Sequence, residues 1–215
     1  MQHLFTTRCD GDMCSEENIE ELNNKYCFSP FSLTSVRKMK QIHSDRIVVV
    51  GKNSPTVALD CDAILTKEAN IPLMVLVADC IPVLLYDVVQ GAIGAVHSGR
   101  EGTFLKIASK SVVAMGEHFG SKACDIEVHF GSSVKKCCYE VSPSLAQEAS
   151  ELYGGRFVQG RYLDLPAMVK EDLMSVGVLE RNIDISTDCT KCDEGYFSYR
   201  KDATTERFAG VIELD

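Results

Sequence analysis

Three residues in this 215-residue chain share a chemistry and a local setting. His97 ends the small-residue run Gly91-Ala92-Ile93-Gly94-Ala95-Val96 and precedes Ser98-Gly99-Arg100. Cys80 follows Asp79 at the end of the apolar run Val75-Leu76-Val77-Ala78. His43 closes Lys40-Gln41-Ile42, shortly before the β-branched run from Ile47. Polar residues that leave buried strands in this way often carry sites. One thiolate and two imidazoles suit zinc and leave one tetrahedral position open. The same trio also suits a Cys–His nucleophile pair with a spare histidine. The spacing matches no compact zinc finger and does not decide between them.

The other histidines read as structural. His118 falls at the end of a helical pattern, where a cation complements the helix dipole. His129 sits inside a strand pattern, and His3 lies near the N-terminus. Cys189-Thr190-Lys191-Cys192 is the sharpest local motif. It suits a zinc half-site or a redox pair. A zinc site needs a second pair, which only Cys9 with Cys14, or Cys137 with Cys138, could supply. The motif runs into the turn Asp193-Glu194-Gly195 rather than a helix, so buried structural thiols are the expectation. No P-loop, GxGxxG or GxSxG pattern occurs.

The elements that must position these residues follow from periodicity. Short apolar runs at Ile47–Val50, Ala63–Leu65, Leu73–Ala78, Val83–Tyr86 and Gly91–Val96 read as buried strands. Phe5 to Arg8, Ile126–Phe130, Ile183–Ser186 and Phe208–Leu214 read as further strands. Glu16–Tyr26, Thr103–His118, Ser142–Tyr153 and Leu165–Val176 have helical spacing, with Gly120 and Gly177 as stops. Pro30 and Ser32 read as punctuation, and the basic run Arg37, Lys38, Lys40 as a solvated face. The strands alternate irregularly with helices. The expectation is one α/β or α+β domain over residues 1–215, with sheets covered by helices.

Composition narrows the function. Hydrophobic residues make up 45% and charged residues 25%, which excludes disordered, collagenous and coiled-coil classes. The formal net charge is −9, from 22 Lys and Arg against 31 Asp and Glu. Nucleic-acid or anionic-membrane partners are therefore disfavoured, and small substrates are favoured. Met1–Met13 has neither a basic n-region nor an apolar h-region, and Ile71–Ala78 is too short to span a bilayer. A cytoplasmic location is expected, with all ten cysteines reduced and no disulfide.

Several segments together resemble one family. They are QIHSDRIV, DCDAILT, VADCIPVLLYD, GAVHSGREGT, CCYEV, YLDL and the tail CTKCDEGYFSYRKDATTERFAGVIEL. In this order they are similar to the YfiH/YlmD-type laccase-domain family, across roughly residues 5–214. The resemblance implies a YfiH-like, cysteine-hydrolase-type α/β fold that works as a monomer. It implies a zinc-dependent purine nucleoside phosphorylase that uses phosphate to release the base from adenosine, inosine, guanosine or methylthioadenosine. Adenosine deaminase side activity goes with it. The implied metal ligands are His43, Cys80 and His97, with zinc preferred over the copper of an older family label. Catalytic roles fall to Cys80, His97 and Asp79, where Asp79 orients a ligand, shuttles a proton or merely caps a strand. Arg200 and Arg207 are candidates for holding phosphate. Arg100 and Glu101 stand where the family has tryptophan and arginine, so Arg100 is expected to face the pocket as a partial replacement. The alternatives are a metal-independent Cys/His hydrolase that edits peptidoglycan precursors, and a catalytically silent binding protein.

Overall fold

A computed structural model describes residues 1–26 and 35–215. Pro30, Ser32 and Cys27 lie outside the described residues. In chain order the strands are β1 (Gln2–Phe5), β2 (Lys38–Met39), β3 (Ile47–Val49), β4 (Val57–Ala58), β5 (Ala63–Thr66), β6 (Leu73–Val77), β7 (Ile81–Asp87), β8 (Ala92–Ser98), β9 (Ile126–Phe130), β10 (Val158–Gln159), β11 (Tyr162–Leu163), β12 (Ile183–Ile185) and β13 (Phe208–Glu213). The helices are α1 (Glu16–Tyr26), α2 (Arg100–Phe104), α3 (Ile107–Phe119), α4 (Pro143–Tyr153), α5 (Leu165–Ser175) and α6 (Tyr199–Asp202).

The main sheet has the order β12-β9-β7-β8-β5-β3. It is mixed: β12 with β9 and β3 with β5 run parallel, and the three central pairings are antiparallel. Successive side chains of a strand point to opposite faces. Val83 and Leu85 accordingly join α3 and α5 in one core, through Ile107, Met115, Met168 and Leu173. Leu84 and Ile93 face the other way and pack on Val75, Phe208 and Ile212. Those residues belong to the second sheet, ordered β1-β13-β6. Helix α1 covers the far side of that sheet, with Ile19 and Leu22 against Met74 and Val211. The result is a mixed α/β body in four layers. Because the central strands β5, β7 and β8 are buried on both faces, they are continuous apolar runs rather than alternating ones.

Three expectations need correction. The first strand is Gln2–Phe5, and Arg8 instead opens a 3₁₀ turn. The helix read over 103–118 is two helices, with Lys106 between them in the left-handed region at φ 63°. In the run from Arg37, Lys40 is exposed as a solvated face requires, but Arg37 is not. Arg37 is 4% exposed, and its guanidinium donates to the carbonyls of Ser35, Gly51 and Lys52. The small pairings β2–β4 and β10–β11 are too short for periodicity to show. Among the described residues, no helix is long and apolar enough to cross a membrane.

Candidate metal centre

Sheet register brings the trio together. Strands β7 and β8 are antiparallel, with Ile81 opposite Ser98 and Pro82 opposite His97. Cys80, one residue before β7, therefore faces Gly99 at the end of β8. Strand β5 flanks β8 on its other side, with Ala63 opposite Val96. Asp62, one residue before β5, thus sits beside His97, and its carbonyl accepts from the His97 N–H at 2.7 Å.

His43 arrives from the loop between β2 and β3. Gln41 fixes that loop by imitating a strand partner: its amide donates to the Leu76 carbonyl at 2.8 Å and accepts from the Leu76 N–H at 3.0 Å. His43 itself takes the left-handed conformation, φ 61°. Backbone N–H groups of Ile42, His43 and Ser44 donate to the Asp62 carboxylate at 3.2, 2.9 and 2.7 Å. Three donors from one tight turn recoup the cost of an unusual backbone.

The ligand atoms of His43, Cys80 and His97 lie within 4.8 Å of one another. The Cys80 Sγ is 3.9 Å from His43 Nε2. The two imidazoles meet edge to face, with centroids 4.8 Å apart. His97 is 3% exposed, and its Nδ1 bonds the Asp62 Oδ1 at 2.8 Å. That bond fixes the tautomer, so Nε2 is left to face Cys80 and His43. Gly99 makes room. A Cβ there would stand 2.9 Å from the Cys80 sulfur and 3.0 Å from His43 Cδ2.

The electrostatics fit a cation site. Burial raises the Cys80 thiol, but the His97 charge and bonds from His43 and His97 outweigh it and bring it down to about 6. Burial lowers the His97 imidazolium, but the Cys80 thiolate and Asp62 reverse this and push it up to about 9. Asp62 is held far below the ordinary carboxylate range: burial opposes this, and the bonds from His97 and Ser44 overcome it. A soft thiolate and two imidazoles, one locked by a carboxylate, are a donor set that fits zinc.

Asp79 also takes a positive φ, 93°. It is 6% exposed. Its Oδ1 accepts from the hydroxyls of Thr190 at 2.6 Å and Ser198 at 2.7 Å. Its Oδ2 accepts from the Arg200 N–H at 2.6 Å. The carboxylate thereby ties the tail of the chain to the end of β6.

The trio opens into a cavity of about 470 Å³, and Asp79, Arg100, Arg200 and Arg207 all line it. Arg100 pairs with Glu101 at 2.6 Å. Arg200 lies over the Tyr139 ring, 4.5 Å from its centroid, and donates to the Glu140 carbonyl at 2.6 Å. Arg207 donates to the carbonyls of Thr204 and Glu206. Leu76, Val134 and Leu165 supply an apolar wall.

A family model described as multi-copper polyphenol oxidoreductase laccase matches residues 3–215. The chain belongs to this laccase-domain family. A Corynebacterium glutamicum relative named purine nucleoside phosphorylase is 37% identical, covering 100% of this chain and 94% of its own. A Campylobacter jejuni relative of the same name is 34% identical, covering 90% of this chain and 85% of its own. Among solved structures, the laccase-domain fold recurs in YlmD of Geobacillus stearothermophilus. That match has a TM-score of 0.83 and 26% identity, covering 92% of this chain and 79% of that one. YfiH of Bacillus licheniformis gives a TM-score of 0.82 at 26% identity, covering 93% of this chain and 80% of that one.

Two residues escaped the reading of single motifs. Asp62 was present only as part of a family-like segment. The signal was an aspartate at the mouth of an apolar strand, where burial without a partner is costly. Gln41 likewise stood one residue from a ligand's neighbour, with an amide able to mimic a peptide group. The four cysteines of the Cys137-Cys138 and Cys189/Cys192 motifs also come together, and Cys192 is exposed rather than buried.

Proposed function

We propose that this chain is a zinc-dependent purine nucleoside phosphorylase. In the reaction, phosphate attacks C1 of the ribose, the N-glycosidic bond breaks, and free base and ribose 1-phosphate leave. The observation that carries this reading is the convergence of the His43/Cys80/His97 trio with three arginines on one cavity. The relatives named for that activity support it.

His43, Cys80 and His97 would hold the zinc ion. When bound, zinc supplies Lewis-acid stabilisation of developing negative charge. The remaining work belongs to the chain. Leu76, Val134 and Leu165 offer the purine an apolar face and exclude water from the reacting bond. Arg100, Arg200 and Arg207 bind the phosphate and aim an oxygen at C1. Asp79 acts as a positioning residue, because both of its oxygens already serve Thr190, Ser198 and the Arg200 backbone.

The test is release of free base from adenosine, inosine, guanosine and methylthioadenosine, with and without phosphate. Release should require phosphate, and Cys80→Ser should lose the zinc of the His43/Cys80/His97 site together with activity. Arg100→Ala should raise the phosphate KM about 10- to 150-fold, the range for a lost charge-assisted contact of about 1.5–3 kcal/mol. Its zinc content should stay the same. Base release without phosphate, or full activity after metal removal, would overturn the reading in favour of a metal-independent Cys/His hydrolase.

A further inference from the structure

Away from the cavity's trio, four cysteines meet. Cys137 and Cys138 lie between β9 and α4, and Cys189 and Cys192 lie between β12 and α6. Their sulfurs all fall within 4.8 Å of one another. Cys138 and Cys192 are 3.3 Å apart, and Cys137 and Cys192 are 3.8 Å apart. Four sulfurs at about 2.3 Å from a tetrahedral zinc ion stand about 3.8 Å from each other. A disulfide brings two sulfurs to about 2.05 Å and asks nothing of two more.

The backbone is built to match. The Cys192 and Asp193 N–H groups both donate to the Cys189 carbonyl, at 3.0 and 2.9 Å, and close the Cys-x-x-Cys segment into a tight turn. The Lys135 N–H points at the Cys189 sulfur at 3.4 Å. Such a donor stabilises a thiolate. The Thr190 N–H donates to the Ser133 carbonyl at 3.2 Å, which pins the two loops together and sets one cysteine pair against the other. Four thiolates around a dication leave a net charge of about −2, and Lys135, Lys136 and Lys191 flank the ligands in sequence.

We propose that Cys137, Cys138, Cys189 and Cys192 form a second metal site, a closed tetrathiolate site for Zn²⁺. Binding releases the thiol protons to solvent. With four protein ligands no position stays open, so the site is structural. It clamps the loop bearing Tyr139 and Glu140, which hold the Arg200 side chain, to the loop bearing Thr190 and Ser198, which hold Asp79. The ion thereby braces one wall of the cavity. The inference does not rest on the phosphorolysis reading, since metal content and spectra report it whatever the substrate.

The experiment measures zinc per chain by mass spectrometry in wild type, Cys192→Ser and Cys80→Ser, each checked for folding by circular dichroism. Wild type should carry two ions, and Cys192→Ser should carry one. Cys80→Ser then isolates the new site, because its other site has no thiolate left. Loaded with Co²⁺, Cys80→Ser should show intense sulfur-to-cobalt charge-transfer bands, and Cys80→Ser/Cys192→Ser should lose most of them. If Cys80→Ser does not fold, the sulfur shell at the zinc X-ray absorption edge separates the cases in wild type. A mean above two sulfurs per zinc supports two sites, and about one sulfur per zinc overturns the inference. Recovery of the four cysteines as disulfides from native protein, or a single zinc in wild type and in Cys192→Ser, also overturns it. Two ions without phosphate-dependent base release would leave this site standing and sink the reaction instead.

Discussion

Asp62 holds two of the three residues of the candidate metal centre in place. It is 0% exposed. Its two oxygens receive His97 Nδ1, the Ser44 hydroxyl and three backbone N–H groups of the His43 turn. One carboxylate therefore orients two ligands that come from different segments. Replacing it with asparagine keeps the shape but removes the charge and some of the acceptor capacity. Asp62→Asn should lower zinc affinity about 10- to 100-fold with all three ligands intact. Competition against a chromophoric chelator measures this, and an unchanged affinity would remove Asp62 from the orienting role. The convergent trio was legible in the sequence because a cysteine and two histidines at the ends of apolar runs declare themselves by type. Asp62 was not, because its meaning depends on which residue of β8 lies opposite, and register is a long-range fact.

Elements were legible where one period ran long enough. Strands β5 to β8 stood out because both faces are buried and nearly every residue is apolar. Helix α4 declared its start: Ser142 accepts from the Leu145 N–H at 3.2 Å, and Pro143 occupies the first turn. The break at Lys106 was invisible, since neither glycine nor proline marks it and apolar spacing continues through it. Strand β13 carries a further tension. It is buried at all six positions, yet it ends in Glu213. Burial and the neighbouring Asp215 push the Glu213 carboxyl up to about 7 from an ordinary 4.5. A folded-state value above the unfolded one gives stability that is full below about pH 4.5 and lost as pH rises through about 7. Glu213→Gln should therefore stabilise the protein at pH 8 by roughly 1–3 kcal/mol and leave it little changed at pH 4.5. Melting temperatures of both proteins at the two pH values test this. Equal differences at both pH values would show that the carboxylate is not strained by burial.

At the scale of the molecule, the site depends on layers that the sequence could suggest but not order. Alternation of strands and helices implied a mixed α/β body. It did not say that the last strand, β13, lies between β1 and β6, or that this small sheet would back the large one. The consequence is tight coupling. Leu84 of β7 and Ile93 of β8 share a core with Phe208 and Ile212 of β13, while Leu85 and Val96 of the same two central strands share the other core with α3 and α5. The chain ends also meet, with the Met1 ammonium 2.9 Å from the Asp215 carboxylate. Each sheet would expose the core of one whole face if the other left. The tail that crosses between them carries Ser198 and Arg200, so the cavity should dissolve with the layers rather than before them. Urea unfolding should therefore be one transition, with far-ultraviolet circular dichroism, tyrosine emission and release of bound metal all sharing one midpoint. Metal release well below the loss of secondary structure would show that the site loops open on their own. Two separated steps in the dichroism itself would show that the two sheets fold as independent units.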